Sequence, residues 1–452
     1  MSLKALKEHK LAEIIGAGLE SEDKALTRLD DVKNRIGEEI FVRGWVYRKR
    51  HLNDVNFVLV RDGFGIIQST IRKNEVDKSS WDYSEEVYIE SVVKLIGTVI
   101  EDERAPEGVE IKVREFKTEF KGDPFPISKD QSTEMLLDIR HLSVRKQGIM
   151  NALKLKAQLV RSCREFLDNR EFIEIQPPML NVSACEGGST LFEVKYFDKI
   201  AYLSQSGQLY SEAVVAAYPL VYVMAPSFRA EPSRTPRHMT EFWQLEPEMA
   251  FYNQNMNMKL QEEMIEYVCH ELAKKQKSIL ERFKRDPKDL LAIKAPFDRI
   301  TYTKAIDMLK EKGIEIKWGD GIGLDEEKIL TKELSQPVFL TNQPKVLRAF
   351  YMKENPEDPR TVLDADMLAP EGIGEIIGGS ERISDYNELI LRMKAQNLNQ
   401  KDYEWYLDIH KYGQVPHSGF GMGTERVIRW MAKLETIRDA IPFPRTMNRL
   451  YP

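Results

Sequence analysis

The stretch FRAEPSRTPRHMTEFWQLEPE, Phe228 to Glu248, decides how the rest of the chain is read. It interleaves arginines, aromatic rings and carboxylates within one short segment. Guanidinium groups make bidentate, charge-assisted contacts with phosphate oxygens, and a flat ring suits a flat base. The segment therefore carries the chemistry needed to hold a nucleoside triphosphate. Taken alone it also fits a charged surface hairpin, and the flanking segments separate the two readings.

On its N-terminal side, Ile149, Met150, Leu153, Val160, Cys163 and Leu167 recur at helical spacing, and FIEIQPP then reads as a strand ending at prolines. On its C-terminal side, a long helical pattern from Met256 to Phe283 is followed by the strand-like runs PVFLTN and LRAFYMKEN. Helices and strands mixed in this way predict an antiparallel α+β domain. Further towards the N-terminus the pattern changes. IFVRGWVYRKR, NFVLVRDG, GIIQSTIRK, SVVKLIGTVIED and VEIKVREFKTEF read as five short strands, with a polar, partly helical insert before the fourth, and suit a small barrel. GDPFPISKDQSTE, with Pro124 and Pro126, breaks both periodicities. The expected division is an appendage over 1–36, helical around Leu11, Ile14, Ile15 and Leu19, a barrel over 37–121, a linker over 122–140 and a large domain over 141–452.

With 452 residues, 42% of them hydrophobic, the chain can bury a sizeable core. The longest apolar stretch, Ala213 to Pro226, is interrupted by Pro219 and falls short of the ~18 residues of a membrane span. Cys163, Cys185 and Cys269 are odd in number and lack CxxC pairing, which argues against a disulfide framework or zinc site and for a cytoplasmic setting. Glu8, Glu13, Glu20, Glu22 and Asp23 break any signal or transit pattern. A formal net charge of −6 argues against bulk electrostatic binding to nucleic acid, so RNA contacts need local patches such as Arg43, Arg48, Lys49 and Arg50. Neither DNA nor a membrane is an expected partner.

Three segments in order carry a resemblance. The opening stretch resembles motif 2 of class II aminoacyl-tRNA synthetases, EIQPPML resembles motif 1, and GFGMGTER resembles motif 3. GWVYRKR and NFVLVRDGFGIIQ resemble the anticodon-binding barrel of the aspartyl/asparaginyl subgroup. From about residue 37 to the C-terminus the chain resembles asparaginyl-tRNA synthetases of the archaeal and eukaryotic type. The resemblance implies an α+β, antiparallel-sheet class II synthetase catalytic domain preceded by a five-stranded OB-fold barrel. It implies ATP as substrate, with Arg229 on the α-phosphate, Glu231 accepting from the adenine amino group, Phe242 stacking on the ring, Arg426 and Gly423 over the opposite face, and Arg237 and His238 at the outer phosphates. Glu375 and Asp366 resemble the carboxylates that hold Mg²⁺, although aspartyl relatives place a serine where this chain has Gly378. Arg229, Arg426 and Glu375 are the implied catalytic groups, and Pro178 the implied homodimer contact. In the barrel, Phe57 would stack on the central anticodon base, Gln68 would read an edge and Arg50 would follow the backbone.

The choice of amino acid turns on charge. A side-chain carboxylate only accepts hydrogen bonds, whereas an amide also donates two. Aspartyl enzymes carry a lysine in the equivalent of SQSGQLYSEA where this chain has Ser211. Glu246 stands where they have aspartate, and its longer arm could accept from an amide nitrogen while repelling aspartate. Arg382 could donate to the amide oxygen, and Glu186 and Gln208 resemble the groups that hold the α-ammonium. Such a site can reject an analogue by roughly 10⁴ to 10⁵. The expected partners are L-asparagine, ATP, tRNA(Asn) and a second copy of the chain. The rival readings are an aspartyl enzyme, including one that charges both tRNAs, an amide-forming asparagine synthetase paralogue, which would lack the barrel, and a non-catalytic RNA-binding descendant.

Overall fold

A computed structural model describes residues 26–106, 108–127, 131–185, 190–233, 235 and 237–452. Two compact units divide at Gln131/Ser132. The helical pattern expected around Leu11 lies outside the described residues.

In the first unit, alternation of apolar and polar residues does what it predicts. β1 (Glu39–Leu52), β2 (Val55–Arg61), β3 (Ile66–Arg72), β4 (Val92–Glu101) and β5 (Val109–Phe120) close into a barrel of order β1-β2-β3-β5-β4. Val42, Val46, Val58, Val60, Ile71 and Val93 point inward and are fully buried. The polar insert forms helix Lys78–Glu86, capped by the Asp77 side chain accepting from Ser80 N–H, and adds Trp81 to the core. Asn53, with φ of 51°, supplies the left-handed residue of the β1–β2 turn. One boundary moves. Leu26 bridges Phe41, and Leu29 and Val32 sit in the barrel core, so the part of the expected appendage from residue 26 onward belongs to the barrel unit.

The second unit also begins earlier than expected. Helix Thr133–Asp138 belongs to it, and the buried Arg140 guanidinium donates to the backbone oxygens of Arg438, Ile441 and Pro442. Its strands are β6 (Ile173–Glu174), β7 (Leu180–Asn181), β8 (Glu193–Tyr196), β9 (Lys199–Leu203), β10 (Leu220–Phe228), β11 (Glu241–Ala250), β12 (Asp298–Thr301), β13 (Val338–Thr341), β14 (Asp364–Ala369), β15 (Gly374–Glu381) and β16 (His417–Gly423). The large sheet runs β12-β13-β14-β15-β16-β11-β10-β6. It is antiparallel throughout its centre, with parallel pairs only at the two edges. Helices Gln147–Asp168 and Gln254–Lys275 cover one face through Leu155, Leu159, Phe166, Met264, Ile265 and Leu272. LRAFYMKEN, expected as a strand, is instead a loop held by isolated bridges at Met352 and Glu354. Its Phe350 and Tyr351 pack edge-on into an aromatic cluster with Tyr403 and Tyr406, and that packing satisfies the apolar pattern that suggested a strand.

Candidate active site

Period-two alternation along β11 builds one wall of a cavity. Leu245 and Met249 enter the helix-covered core, so Phe242, Gln244, Glu246 and Glu248 share the opposite face and line the cavity. β10 pairs with β11 from Leu220↔Met249 to Phe228↔Glu241, and Arg229, just beyond, donates its backbone N–H to Thr240 O at 2.9 Å. Gln208, Glu231, Arg237, His238, Asp366, Glu375, Arg382, Gly423 and Arg426 line the same cavity. The segment between β10 and β11 thus meets residues almost two hundred positions downstream.

At one end the cations are met by carboxylates. Arg426 Nη1 lies 3.0 Å from Glu375 Oε1, Arg348 lies 2.7 Å from Asp366 and 2.8 Å from Asp364, and Arg237 pairs with Glu327. Glu327 also accepts from the backbone N–H of Glu375 at 2.9 Å. Burial opposes ionisation of Glu375, but Arg426, Arg237, Arg348 and Arg229 outweigh it and hold its carboxyl down at about 2. Burial, reinforced by Arg426 and Arg237, pushes the His238 imidazole down to about 4, so it is neutral near pH 7. Its Nδ1 faces the hydroxyls of Ser233, at 3.0 Å, and Thr235. Arg229 sits over the Phe242 ring at 5.5 Å. The neighbouring Glu425 is buried, accepts from Trp243 N–H at 3.1 Å and pairs with Lys156, which anchors the helix Thr424–Met431 that carries Arg426.

The other end is polar and closed. Arg382 grips Glu248 with two bonds, 2.9 and 3.1 Å, and donates to Ser380 Oγ at 2.7 Å. Burial works against its charge, and Glu248 more than offsets that, so the guanidinium stays charged. A Cβ at position 419 would stand 2.0 Å from Glu248 Oε2, so only glycine lets this pair lie on the sheet. Glu246 accepts from Ser206 Oγ and, at 3.0 Å, from Gly207 N–H. Ser211 does not reach the cavity. Its hydroxyl turns back to Gly207 O at 3.3 Å, one helical turn before it, and is fully buried. Its inclusion in the amino acid pocket is corrected accordingly, while the absence of a lysine at that position stands. Glu186 lies outside the described residues. Glu248, Ser206, Arg348 and Glu327 were missed from sequence, and only Glu248 gave a signal, two residues beyond Glu246 on the same face.

The family described as tRNA synthetases class II (D, K and N) matches residues 132–447, and an OB-fold nucleic acid binding domain matches residues 40–119. This chain belongs to the class II tRNA synthetases of the D, K and N group. It is 48% identical to the asparagine–tRNA ligase of Thermococcus gammatolerans over 93% of this chain and 98% of that protein. Among solved structures, asparaginyl-tRNA synthetase from Pyrococcus horikoshii complexed with asparaginyl-adenylate matches with a TM-score of 0.91 at 45% identity, over 94% of this chain and 99% of that one. The Entamoeba histolytica asparaginyl-tRNA synthetase in complex with asparaginyl-adenylate matches with a TM-score of 0.87 at 30% identity, over 96% and 100%.

In this class II synthetase the barrel carries a second candidate surface. β2 turns Val58 and Val60 inward and leaves Phe57 half-exposed on the outer face, outside the barrel core. Arg50 is exposed and directly opposite Phe57 in the β1–β2 register. Gln68 donates its amide to Glu110 Oε2 at 2.8 Å, which leaves its carbonyl oxygen as the free end. Of the rest of the expected basic patch, Arg43 is engaged by Glu119 at 2.5 Å and Lys49 by the Glu85 carbonyl, while Arg48 is exposed and lies over the Tyr47 ring at 5.4 Å.

Proposed function

We propose that this cavity activates L-asparagine with ATP and that the asparaginyl group then passes to the 3′-terminal adenosine of tRNA(Asn), the reaction of an asparagine–tRNA ligase. A carboxylate oxygen of asparagine attacks the α-phosphorus, the bond to the bridging oxygen breaks, and pyrophosphate leaves with that electron pair. The terminal ribose hydroxyl later attacks the activated carbonyl, and AMP leaves. Neither step needs a protein nucleophile, so positioning and charge neutralisation carry the catalysis. Phe242 and Arg426 hold the adenine between them, and Glu231 accepts from its amino group. Arg229 meets the charge that builds on the α-phosphate. Arg237 and His238 receive the outer phosphates.

The observation that carries asparagine over aspartate is Glu246. Its two oxygens are held by Ser206 and Gly207, and it lines the cavity with Arg382. As an acceptor-only carboxylate it suits an amide NH₂ and repels a second carboxylate, while Arg382 keeps N–H groups beyond those used on Glu248 and Ser380 for the amide oxygen. Gln208 holds the α-ammonium together with Glu186.

Asp366 and Glu375 would hold Mg²⁺. A Cβ at Gly378 would stand 3.2 Å from Asp366 Oδ1 and 3.6 Å from Glu375 Oε1, so both carboxylates converge over the same glycine. Two hard oxygen donors beside a triphosphate suit that ion, which would neutralise phosphate charge. Phe57, Gln68 and Arg50 read the anticodon, and the protein acts in the cytoplasm as a homodimer. The exposed Ile173, Leu180 and Val182 around Pro178 support that contact. No helix among the described residues is long and apolar enough to cross a membrane.

The test is aminoacylation of tRNA(Asn) and tRNA(Asp) transcripts with labelled asparagine. Charging of tRNA(Asn) alone is expected, and charging of neither, with folded protein and transcript, would overturn the reading.

A further inference from the structure

Beneath the amino acid end lies a buried carboxylate that the activation chemistry does not use. Glu212, one turn after Gln208 on helix Gln208–Val215, is fully buried and gathers three side-chain donors. Tyr406 O–H donates to Oε2 at 2.6 Å, His417 Nε2 lies 3.0 Å from the same oxygen, and Gln208 Nε2 donates to Oε1 at 2.8 Å. His417 Nδ1 faces Val415 O at 2.7 Å, so both ring nitrogens meet acceptors. The charged imidazole satisfies both at once. Burial opposes charge on Glu212, but the His417 bond and charge, with Arg382 behind them, hold it down at about 2. Burial also raises the Tyr406 hydroxyl well above its ordinary range, which keeps it a donor.

A carboxylate that only accepts dictates which end of a neighbouring amide it meets. Gln208 must turn its NH₂ inward to Glu212, and Gln208 also lines the cavity. We propose that Glu212 is a positioning residue that fixes the Gln208 amide with its carbonyl oxygen towards the cavity, where it accepts from the α-ammonium of the amino acid. The proposal rests on the reading of Gln208 as the ammonium's partner. The wrong amide orientation would aim two N–H donors at a cation, and a buried Glu212, tied to Tyr406 and His417 from distant segments, removes that state.

The test exploits the polarity. In Glu212→Gln, the new amide must keep its oxygen on the Tyr406 and His417 donors, so its NH₂ faces Gln208 and forces that amide to flip. Adding Gln208→Glu restores an acceptor on both sides and returns one carboxylate to the network. ATP–pyrophosphate exchange on the full chain would be measured for wild type, Glu212→Gln and the double variant, with KM for asparagine and for ATP taken separately. The single variant is expected to raise KM for asparagine about 10- to 100-fold, the range for a lost charge-assisted hydrogen bond, with KM for ATP unchanged. The double variant is expected to recover most of that loss. Inhibition by succinamate, which lacks the ammonium, should be the same in wild type and Glu212→Gln. An unchanged KM for asparagine, an equal loss in both KM values, or a folded double variant without recovery would overturn the proposal. If the single variant fails to fold, the double variant decides alone against wild type. Wild-type protein without asparagine-dependent exchange would instead sink the functional reading beneath it.

Discussion

The two ends of the cavity are built on opposite plans. At the nucleotide end, Arg237, Arg348 and Arg426 are each matched by a carboxylate, Glu327, Asp366 and Glu375, so in the proposed reaction arriving ATP has to share or take over these pairings. At the amino acid end, the Arg382–Glu248 pair, the Ser206–Glu246 bond and the Glu212 network are buried and mutually satisfied, and the substrate only completes them. The difference separates catalysis from choice. In the proposed reaction the arginine–carboxylate pairs must re-partner as ATP arrives, whereas the groups that tell an amide from a carboxylate must stay fixed, because a polar site discriminates only if its own partners cannot move to suit the wrong ligand.

Mutations break the two plans in different ways. Removing Arg229, Arg229→Ala, should lower exchange by at least ~10² to 10³, the usual cost of one donor to developing charge, in pre-steady-state or exchange assays on protein shown to be folded by circular dichroism. Wild-type-like exchange would remove Arg229 from the chemistry. Glu246→Gln keeps an acceptor and deletes the repulsion, so the ratio of asparagine to aspartate exchange should fall about 10- to 100-fold, with KM for ATP unaltered. A changed KM for ATP would mean that the two ends are not independent.

Outside the cavity, Phe57→Ala should weaken tRNA binding by about 1–3 kcal/mol, as for the loss of one base–aromatic stack, and leave exchange untouched. If exchange fell as far as with Arg229→Ala, the barrel face would not be a dedicated reader. The smallest effect concerns pH. The His238 pKa in the folded state is depressed to about 4, below its ordinary 6.5, so its contribution to stability is complete above pH 6.5 and is lost as pH falls towards 4. His238→Asn should flatten the pH dependence of the urea midpoint within that window. Glu375, depressed to about 2, acts in a separate and lower window, below pH 4.5.

The β11 wall was legible because Phe242, Gln244, Glu246 and Glu248 stand close together in sequence and alternate with a period of two. The barrel was legible for the same reason. Their partners were not. Tyr406 and His417 reach Glu212 across 194 and 205 residues, and Glu327 reaches Arg237 across 90, and no local pattern marks such pairings. Ser211 misled because its place in the pocket was taken from the lysine that aspartyl enzymes carry there, and a short hydroxyl at the same position turns back to Gly207 O instead. LRAFYMKEN misled because apolar periodicity does not distinguish a strand from a loop whose aromatics pack together.

The central claim is that Glu246 and Arg382 fix the choice of amide over carboxylate. ATP–pyrophosphate exchange by the wild-type chain, with asparagine and aspartate side by side, tests it most directly. Exchange driven by asparagine and weaker with aspartate by roughly 10⁴ or more is predicted. Equal exchange with both amino acids would contradict it.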